Sequence, residues 1–325
     1  MESILVAGGA GYVGSHACKA LARAGYRPVT IDNLATGHAD AVKWGPLVQA
    51  DIGDQAAVLT AIDQYGIKAA MHFAASSLVA ESVAKPNLYY ANNVIATLGL
   101  IEVLTSRAVQ HIVFSSSAAV YGAVGAGLIG EDTPQQPTNP YGETKRVIEG
   151  ALRWIGAARG FTWAALRYFN AAGADEDAEI GERHDPETHL IPNVVRATLG
   201  TGPALKIFGS DYPTPDGSAV RDYVHVTDLA DAHVAALAWL KAGGASRAFN
   251  LGSGAGLSNL EIVAAAERAL GRTPSFTMAG RRAGDPPSLV ADPAAAKAAF
   301  GWIPTRSDPV TLIRTVAAFE AARVF

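Results

Sequence analysis

The chain has 325 residues, enough for one large domain or two modest ones with a sizeable core. Hydrophobic residues at 49% and charged residues at 17% exclude intrinsic disorder, and 26 basic against 30 acidic residues leave no cationic excess for a nucleic-acid partner. The single cysteine, Cys18, excludes an internal disulfide and a two-thiol zinc site and suits a reducing compartment. The start Met1-Glu2-Ser3 lacks the cationic region of a signal peptide, and the longest apolar stretch, Val234 to Leu240, falls far short of the ~20 residues that span a bilayer. The expectation is a soluble, cytoplasmic protein with neither membrane nor nucleic acid as partner.

Ile4–Ala7 reads as a short apolar strand, followed by a glycine loop and a helix from about Val13 to Ala24, with Gly25 at the stop. A second strand, Pro28–Ile31, runs to Asp32. Further apolar runs follow at Ala69–Ala75, His111–Ser115 and Thr162–Tyr168, separated by helical stretches near Asp54–Tyr65, Asn87–Arg107 and Tyr141–Arg159. Strands that are apolar throughout and alternate with helices predict a doubly wound, Rossmann-type α/β fold: a parallel sheet covered on both faces. After Tyr168 the rhythm breaks into an acidic loop, Ala174 to His189, and an irregular stretch, Gly209–Gly217. A strand at Tyr223–Val226, a helix after Thr227 and a helix opened by the Ser258/Glu261 capping box follow. The expected division is a nucleotide-binding domain over 1–170 and a smaller substrate-facing lobe over 171–325, with some segments returning to the first domain.

Gly8, Gly11 and Gly14 fall between the first strand and the first helix, where a tight turn, close backbone approach to a pyrophosphate and a helix N-terminus all call for glycine. Spacing alone is weak among 33 glycines. The stricter G-x-G-x-x-G at Gly125, Gly127 and Gly130 is rejected because Glu131-Asp132-Thr133-Pro134 follows it instead of a helix. Asp32, at the end of the second strand, can accept hydrogen bonds from an adenosine ribose and repels a 2′-phosphate, which favours NAD over NADP. Asp51 is read either as a contact to the adenine edge or as a solvated loop acid.

Tyr141 and Lys145 share one face at a helix start. An ammonium beside a phenol, together with an oxidised nicotinamide, is expected to lower the tyrosine pKa and make it a usable base for a sugar hydroxyl. Ser117 closes an apolar strand at the carboxyl edge of the sheet, from where it can donate to the same substrate oxygen. His184, His189, His225 and His233 show no ligand spacing with carboxylates in the sequence, and no metal site is expected.

GGAGYVGSH (Gly8–His16), DNL (Asp32–Leu34), HFAA (His72–Ala75), FSSSAAVYG (Phe114–Gly122), NPYGETK (Asn139–Lys145) and RYFNAAGA (Arg167–Ala174) resemble the extended short-chain dehydrogenase/reductases. HLIP (His189–Pro192), IFG (Ile207–Gly209), DYPTPDG (Asp211–Gly217), VRDYVHVTDLADAH (Val220–His233), FNLGSG (Phe249–Gly254) and RRAGDPP (Arg281–Pro287) extend the likeness over nearly the whole chain. Within that family the likeness is to the UDP-glucose 4-epimerases. It implies NAD as cofactor, a UDP-sugar as substrate and a homodimer. It also implies catalysis by Ser117, Tyr141 and Lys145. Contacts to NAD are implied for Gly8, Gly11, Tyr12, Val13, Gly14, Asp32, Asn33, Asp51 and Ile52 around the glycine loop. Phe73, Ala74, Ala75, Asn93, Ser115, Tyr141, Lys145 and Tyr168 complete that set. For the sugar nucleotide, Ser117, Tyr141, Asn170, His189, Leu190 and Tyr223 are implied, with Lys206, Ile207 and Phe208 packing the base and Arg221, Arg282 and Asp285 holding the nucleotide. An ion pair between Arg221 and the adjacent Asp222 is the plain alternative for that arginine.

The implied chemistry is removal of hydrogen from C4 of the sugar, rotation of the 4-keto sugar and return of hydrogen to the other face. Three departures stand out: Ser77 where many members carry a lysine near the cofactor phosphates, Ala119 in place of a commoner threonine, and Leu289 where some members carry a tyrosine that limits sugar size. The alternatives are a 4-epimerase of a UDP-N-acetylhexosamine, UDP-pentose or UDP-uronate, a sugar-nucleotide 4,6-dehydratase, and a non-enzymatic NAD-binding module. A dehydratase needs an acid pair where this chain has Ala118 and Ala119, and a mere sensor has no use for Ser117, Tyr141 and Lys145 together.

Overall fold

The computed structural model describes residues 1–125, 127–282 and 285–323. Seven parallel strands form the central sheet: β1 (Ser3–Ala7), β2 (Arg27–Asp32), β3 (Leu47–Gln49), β4 (Ala69–His72), β5 (His111–Ser117), β6 (Thr162–Tyr168) and β7 (Arg247–Leu251). Their spatial order is β7-β6-β5-β4-β1-β2-β3. The longer helices are α1 (Tyr12–Arg23), α2 (Gln55–Tyr65), α3 (Ala96–Ser106), α4 (Pro140–Arg159), α5 (Leu190–Leu199), α6 (Val226–Lys241), α7 (Asn259–Leu270) and α8 (Pro309–Ala322).

Side chains alternate across a strand, so β1 feeds two cores. Leu5 and Ala7 pack with Val58 and Ile62 of α2, Leu100 and Leu104 of α3, and Ile148 and Leu152 of α4. Ile4 and Val6 pack on the opposite face with Ala17 and Leu21 of α1 and with Leu229, Ala236 and Leu237 of α6. A third core joins Ile191 and Val194 of α5, Ile262 and Ala266 of α7, and Leu312 and Val316 of α8. Beside these three helices, Val220–Arg221 pairs antiparallel with Leu257–Ser258 and parallel with Ser288–Ala291, which also pairs with Leu128–Ile129. Leu205–Phe208 pairs with Phe276–Ala279, and Asn170–Ala172 pairs with Tyr223–His225.

The expected Rossmann-type sheet is present, with two edge strands the apolar runs do not reveal. β3 is three residues long, and β7 follows the helix-rich second half, far in sequence from its neighbour β6. The stretch Asn87–Arg107 is helical but not uniformly so: Pro86–Tyr89 leads into a π-helical turn, Tyr90–Ile95, before α3. Leu128–Ile129 forms a strand after Gly127 and a turn follows Gly130, so the rejected second glycine motif opens no helix; Ala126 lies outside the described residues.

Three buried histidines set an acid limit to the fold. Burial holds His16 and His233 down at about 4 and His72 at about 3. An unfolded chain takes up these protons near pH 6.5 and the folded one does not, so the contribution of these three groups is complete above that value and is lost as the pH drops towards 4. With all three groups titrating, the slope approaches about 4 kcal/mol per pH unit. Urea unfolding at stepped pH between 7 and 4.5 measures it, and a flat profile contradicts it.

Candidate active site

β1 and β4 lie side by side, yet the chain leaves β1 in one direction along the sheet and later proceeds from β4 in the other; ligand crevices open at this reversal, at the carboxyl ends of the strands. Gly8 leaves β1 with φ +80°, and a Cβ there would stand 2.5 Å from the Ala74 amide. A Cβ on Gly14 would stand 2.1 Å from the Gly8 carbonyl oxygen. Gly11 is the N-cap of α1 and supplies no side-chain cap, so the first backbone N–H groups of the helix face the crevice as an anion site. Val13 follows in the first turn, and Phe73 and Ala74 both donate to the Ala7 carbonyl, bringing the end of β4, and Ala75 after it, against the loop.

The Asp32 carboxylate is buried and accepts from Ala10 N at 3.0 Å and Leu34 N at 2.9 Å, tying the glycine loop to the next turn. Asp51 is exposed in its loop and accepts from Asn33 Nδ2 at 2.7 Å and Gly53 N at 2.8 Å; the adjacent Ile52 is buried in the core. Tyr12 donates its hydroxyl to the Gly173 carbonyl at 2.5 Å, and burial drives its phenol well above the ordinary value.

Asn139 caps α4, accepting from Gly142 N at 2.9 Å, and Pro140 takes the first turn, which places Tyr141 and Lys145 at the helix start facing the end of β5. Lys145 is buried, donates to the Ser115 carbonyl at 2.8 Å and lies 5.9 Å from the centre of the Tyr141 ring. Ser115 Oγ bonds the Tyr168 hydroxyl at 2.6 Å. Asn93, in the π-helical turn, accepts from Ser76 N at 2.8 Å and donates to Thr144 Oγ1 at 3.1 Å, linking the segment after β4 to α4.

The buried groups of the site are shifted by their surroundings. Burial raises the Tyr141 phenol above its ordinary value, with a Ser117 hydrogen bond pulling it back. Burial also brings the Lys145 ammonium down, to about 7. The Ser117 hydrogen bond favours tyrosinate.

Behind the three serines lies a buried ion pair that motif reading passes over. Arg167 of β6 meets Glu149 of α4 through Nε at 2.9 Å and Nη2 at 2.5 Å, while Ser116 Oγ donates to Glu149 at 2.5 Å. Arg167 also donates to the Tyr121 hydroxyl at 2.7 Å, and Tyr121 donates to Asn250 Oδ1 at 2.7 Å. This network fixes the strand carrying Ser115 and Ser117 against the helix carrying Tyr141. Its only sequence signal is a glutamate one turn beyond Lys145. Arg167→Met strands the Glu149 charge in the interior and is expected to cost about 3–5 kcal/mol in urea unfolding; a loss below 1 kcal/mol contradicts the pairing.

The sugar-nucleotide residues gather around the small sheets with three adjustments. Arg221 pairs with Asp285 at 3.1 Å and not with Asp222, because neighbours in a strand point to opposite faces; the Asp222 carboxylate instead accepts from Ser253, Gly254 and Ala291. Ile207 is buried in the third core, so Lys206 and Phe208 alone of that trio present side chains outward, with Arg282 stacked 4.0 Å from the Phe208 ring centre. Tyr223 is buried in the same core. Asn170 donates to the Asp222 carbonyl at 3.0 Å, and Leu190 opens α5. Ala283 and Gly284 of the arginine motif lie outside the described residues. Leu289 packs with Ala118, Val120 and Tyr121, immediately beyond Ser117.

The His189 imidazole bonds Glu182, and Glu182, His184, Glu187 and His189 converge. The expectation that these histidines lack carboxylate partners at ligand spacing is thus wrong. They come from an irregular loop, where neither helical nor strand periodicity reveals which side chains meet.

A family model described as the NAD dependent epimerase/dehydratase family matches residues 4–252. A UDP-glucose 4-epimerase of Lacticaseibacillus casei is 47% identical over 314 residues, 96% of this chain and 95% of that protein. The crystal structure of a UDP-glucose 4-epimerase from Brucella ovis in complex with NAD is 50% identical with a TM-score of 0.95, covering 98% of each chain. That of the enzyme from Bifidobacterium longum in complex with NAD+ and UDP is 34% identical with a TM-score of 0.93 over 99% of each. With this agreement in sequence and in the whole of the fold, the chain belongs to the NAD dependent epimerase/dehydratase family.

Proposed function

We propose that the protein is an NAD-dependent UDP-glucose 4-epimerase. The observation that carries this reading is the meeting of Ser117, Tyr141 and Lys145 beside a glycine-lined crevice, in a chain 47% identical to a named UDP-glucose 4-epimerase. The crevice fits the cofactor: the cradle at Gly8 and Gly14 leaves no room for a Cβ, and the start of α1 offers N–H groups to a pyrophosphate. Gly11, Tyr12 and Val13 form its floor, Asp32 and Asn33 would meet the ribose, and Asp51 and Ile52 border the adenine. Phe73, Ala74, Ala75, Asn93, Ser115 and Tyr168 line the nicotinamide side. When bound, NAD supplies hydride acceptance and return at the sugar carbon. Tyr141 takes and gives back the proton of the 4-hydroxyl, Ser117 orients that oxygen, and Lys145 braces the end of β5 through the Ser115 carbonyl.

The nucleotide is gripped by Asn170, Leu190, Lys206, Phe208, Arg221, Arg282 and Asp285, with guanidinium forks suited to phosphate. The sugar is held only by Ser117 and Tyr141, so it can turn over. Residues 1–170 carry the cofactor in this reading and 171–325 mainly the sugar nucleotide, although β7 and α6 return to the central sheet. Exposed Val83 and Ile95 ahead of α3, with Leu98 on α3 and Trp154 on α4, supply apolar side chains for a homodimer face. No helix among the described residues is long and apolar enough to cross a membrane, and the single cysteine suits the cytoplasm.

The test is to incubate the purified protein with UDP-galactose, with and without added NAD, and follow UDP-glucose by proton NMR. Interconversion without added NAD is expected. Turnover only with added NAD assigns Ser77 a weakened hold on the cofactor, and silence in both arms contradicts the reading. The side chain of Leu289, packed beside Ser117, leaves the sugar end without a tyrosine ring, so measurable turnover of UDP-N-acetylgalactosamine is expected in the same assay.

A further inference from the structure

We propose that Glu182, His184, Glu187 and His189 form a tetrahedral site for a divalent transition cation of the zinc class, held in the loop between Gly173 and α5. The four side chains each offer one donor atom, and these atoms all lie within 4.8 Å of one another. Glu182 Oε1 is 3.0 Å from His184 Nδ1 and closer still to His189 Nδ1; Glu187 Oε1 is 3.9 Å and 3.7 Å from the same two nitrogens. Zinc bonds of about 2.0–2.2 Å place tetrahedral ligands roughly 3.3–3.6 Å apart, the middle of this range.

Independent evidence comes from groups without partners. His184 Nδ1 and Glu187 Oε2 are buried and make no hydrogen bond, although buried polar atoms are almost always satisfied. His184 Nδ1 lies 3.0 Å from Glu182 Oε1 and 3.9 Å from Glu187 Oε1, an approach that a proton on the imidazole or a shared cation would hold. The carboxylates are held in place from outside. Glu182 is buried, and Glu187 Oε1 accepts from the backbone N–H of Thr188 at 2.8 Å and of His189 at 2.9 Å.

Composition selects the cation. Two neutral imidazoles and two carboxylates cancel a double positive charge, and a mixed nitrogen and oxygen set suits zinc and its neighbours, whereas calcium and magnesium take oxygen alone. The nearby Asp175, Asp177 and Glu179 make the contrast clear. Lys19 sits among them at 2.8, 2.9 and 2.7 Å, so its ammonium already takes the place that a cation would occupy. A cation at the first cluster would staple a loop that begins where Gly173 receives the Tyr12 hydroxyl and ends at the first residue of α5, tying the glycine loop to the smaller lobe.

The test is to strip the purified full-length protein with chelator, titrate it with Co2+ and follow visible absorption and bound metal by elemental analysis. One Co2+ per chain with the intense spectrum of a tetrahedral centre is expected, displaced by Zn2+, and Zn2+ should raise the midpoint of thermal unfolding by several degrees. Glu182→Gln and His184→Ala should each weaken Co2+ binding at least tenfold, with the far-ultraviolet circular dichroism reporting that the fold is kept. Absence of stoichiometric Co2+ binding by the parent protein overturns the proposal whatever the variants do. So does binding with a tetrahedral spectrum that both variants retain at full strength.

Discussion

Tyr141→Phe is expected to lower kcat for UDP-galactose by about 10³-fold while leaving cofactor content and unfolding midpoint close to those of the parent. The substitution removes one oxygen from a ring held by the start of α4, and the packing around the ring is retained. The lost oxygen is the group that exchanges the proton of the 4-hydroxyl, so the loss falls on the chemical step and KM moves little. Burial raises the phenol, and Ser117 counteracts it by hydrogen bonding. Ser117→Ala should therefore lower activity more at pH 7 than at pH 9, where the tyrosinate forms with less help. A Tyr141→Phe variant within tenfold of the parent, read by initial rates, contradicts the assignment of the base.

Gly14→Ala is expected to empty the protein of NAD and abolish activity. The added Cβ would lie 2.1 Å from the Gly8 carbonyl oxygen and 3.0 Å from Gly9 Cα, so backbone on one side must retreat by about an ångström. That movement opens the turn and misaims the N–H groups at the start of α1. A stability loss of about 1–3 kcal/mol should accompany it. Gly150→Ala in α4 is the control: a Cβ there meets nothing within 4 Å, and replacing a helical glycine should stabilise by about 0.5–1 kcal/mol with NAD retained. NAD released by acid and measured by chromatography, beside urea unfolding, separates the two variants. Full cofactor content in Gly14→Ala contradicts the cradle.

These two effects rest on residues that the sequence makes visible, and the reason is physical. Gly8, Gly11 and Gly14 stand out because backbone closeness admits no other residue, and Tyr141 and Lys145 stand out because a helical repeat puts them on one face beside the end of an apolar strand. The central strands β1, β2, β4, β5 and β6 are legible because burial on both faces makes them apolar throughout. What stays hidden depends on contacts between distant segments. β3 is too short to show a pattern, and β7 joins the sheet only through its pairing with β6. Arg167 and Glu149 belong to different elements, and only the folded chain reveals that each neutralises the other beneath the serines. The Glu182 cluster follows the same logic in a loop without periodicity. Ile207 shows the converse: its place in a likeness suggests a contact to the base, yet strand alternation turns its side chain into the core.

The most direct test of an exchange at C4 that is closed within the site uses UDP-galactose carrying deuterium at that carbon, in ordinary water, with no cofactor added. Removal and return of the same hydrogen predicts UDP-glucose that keeps the deuterium at C4, seen by proton NMR as a missing C4 signal that does not grow with turnover. Appearance of solvent hydrogen at C4 as product accumulates would contradict it.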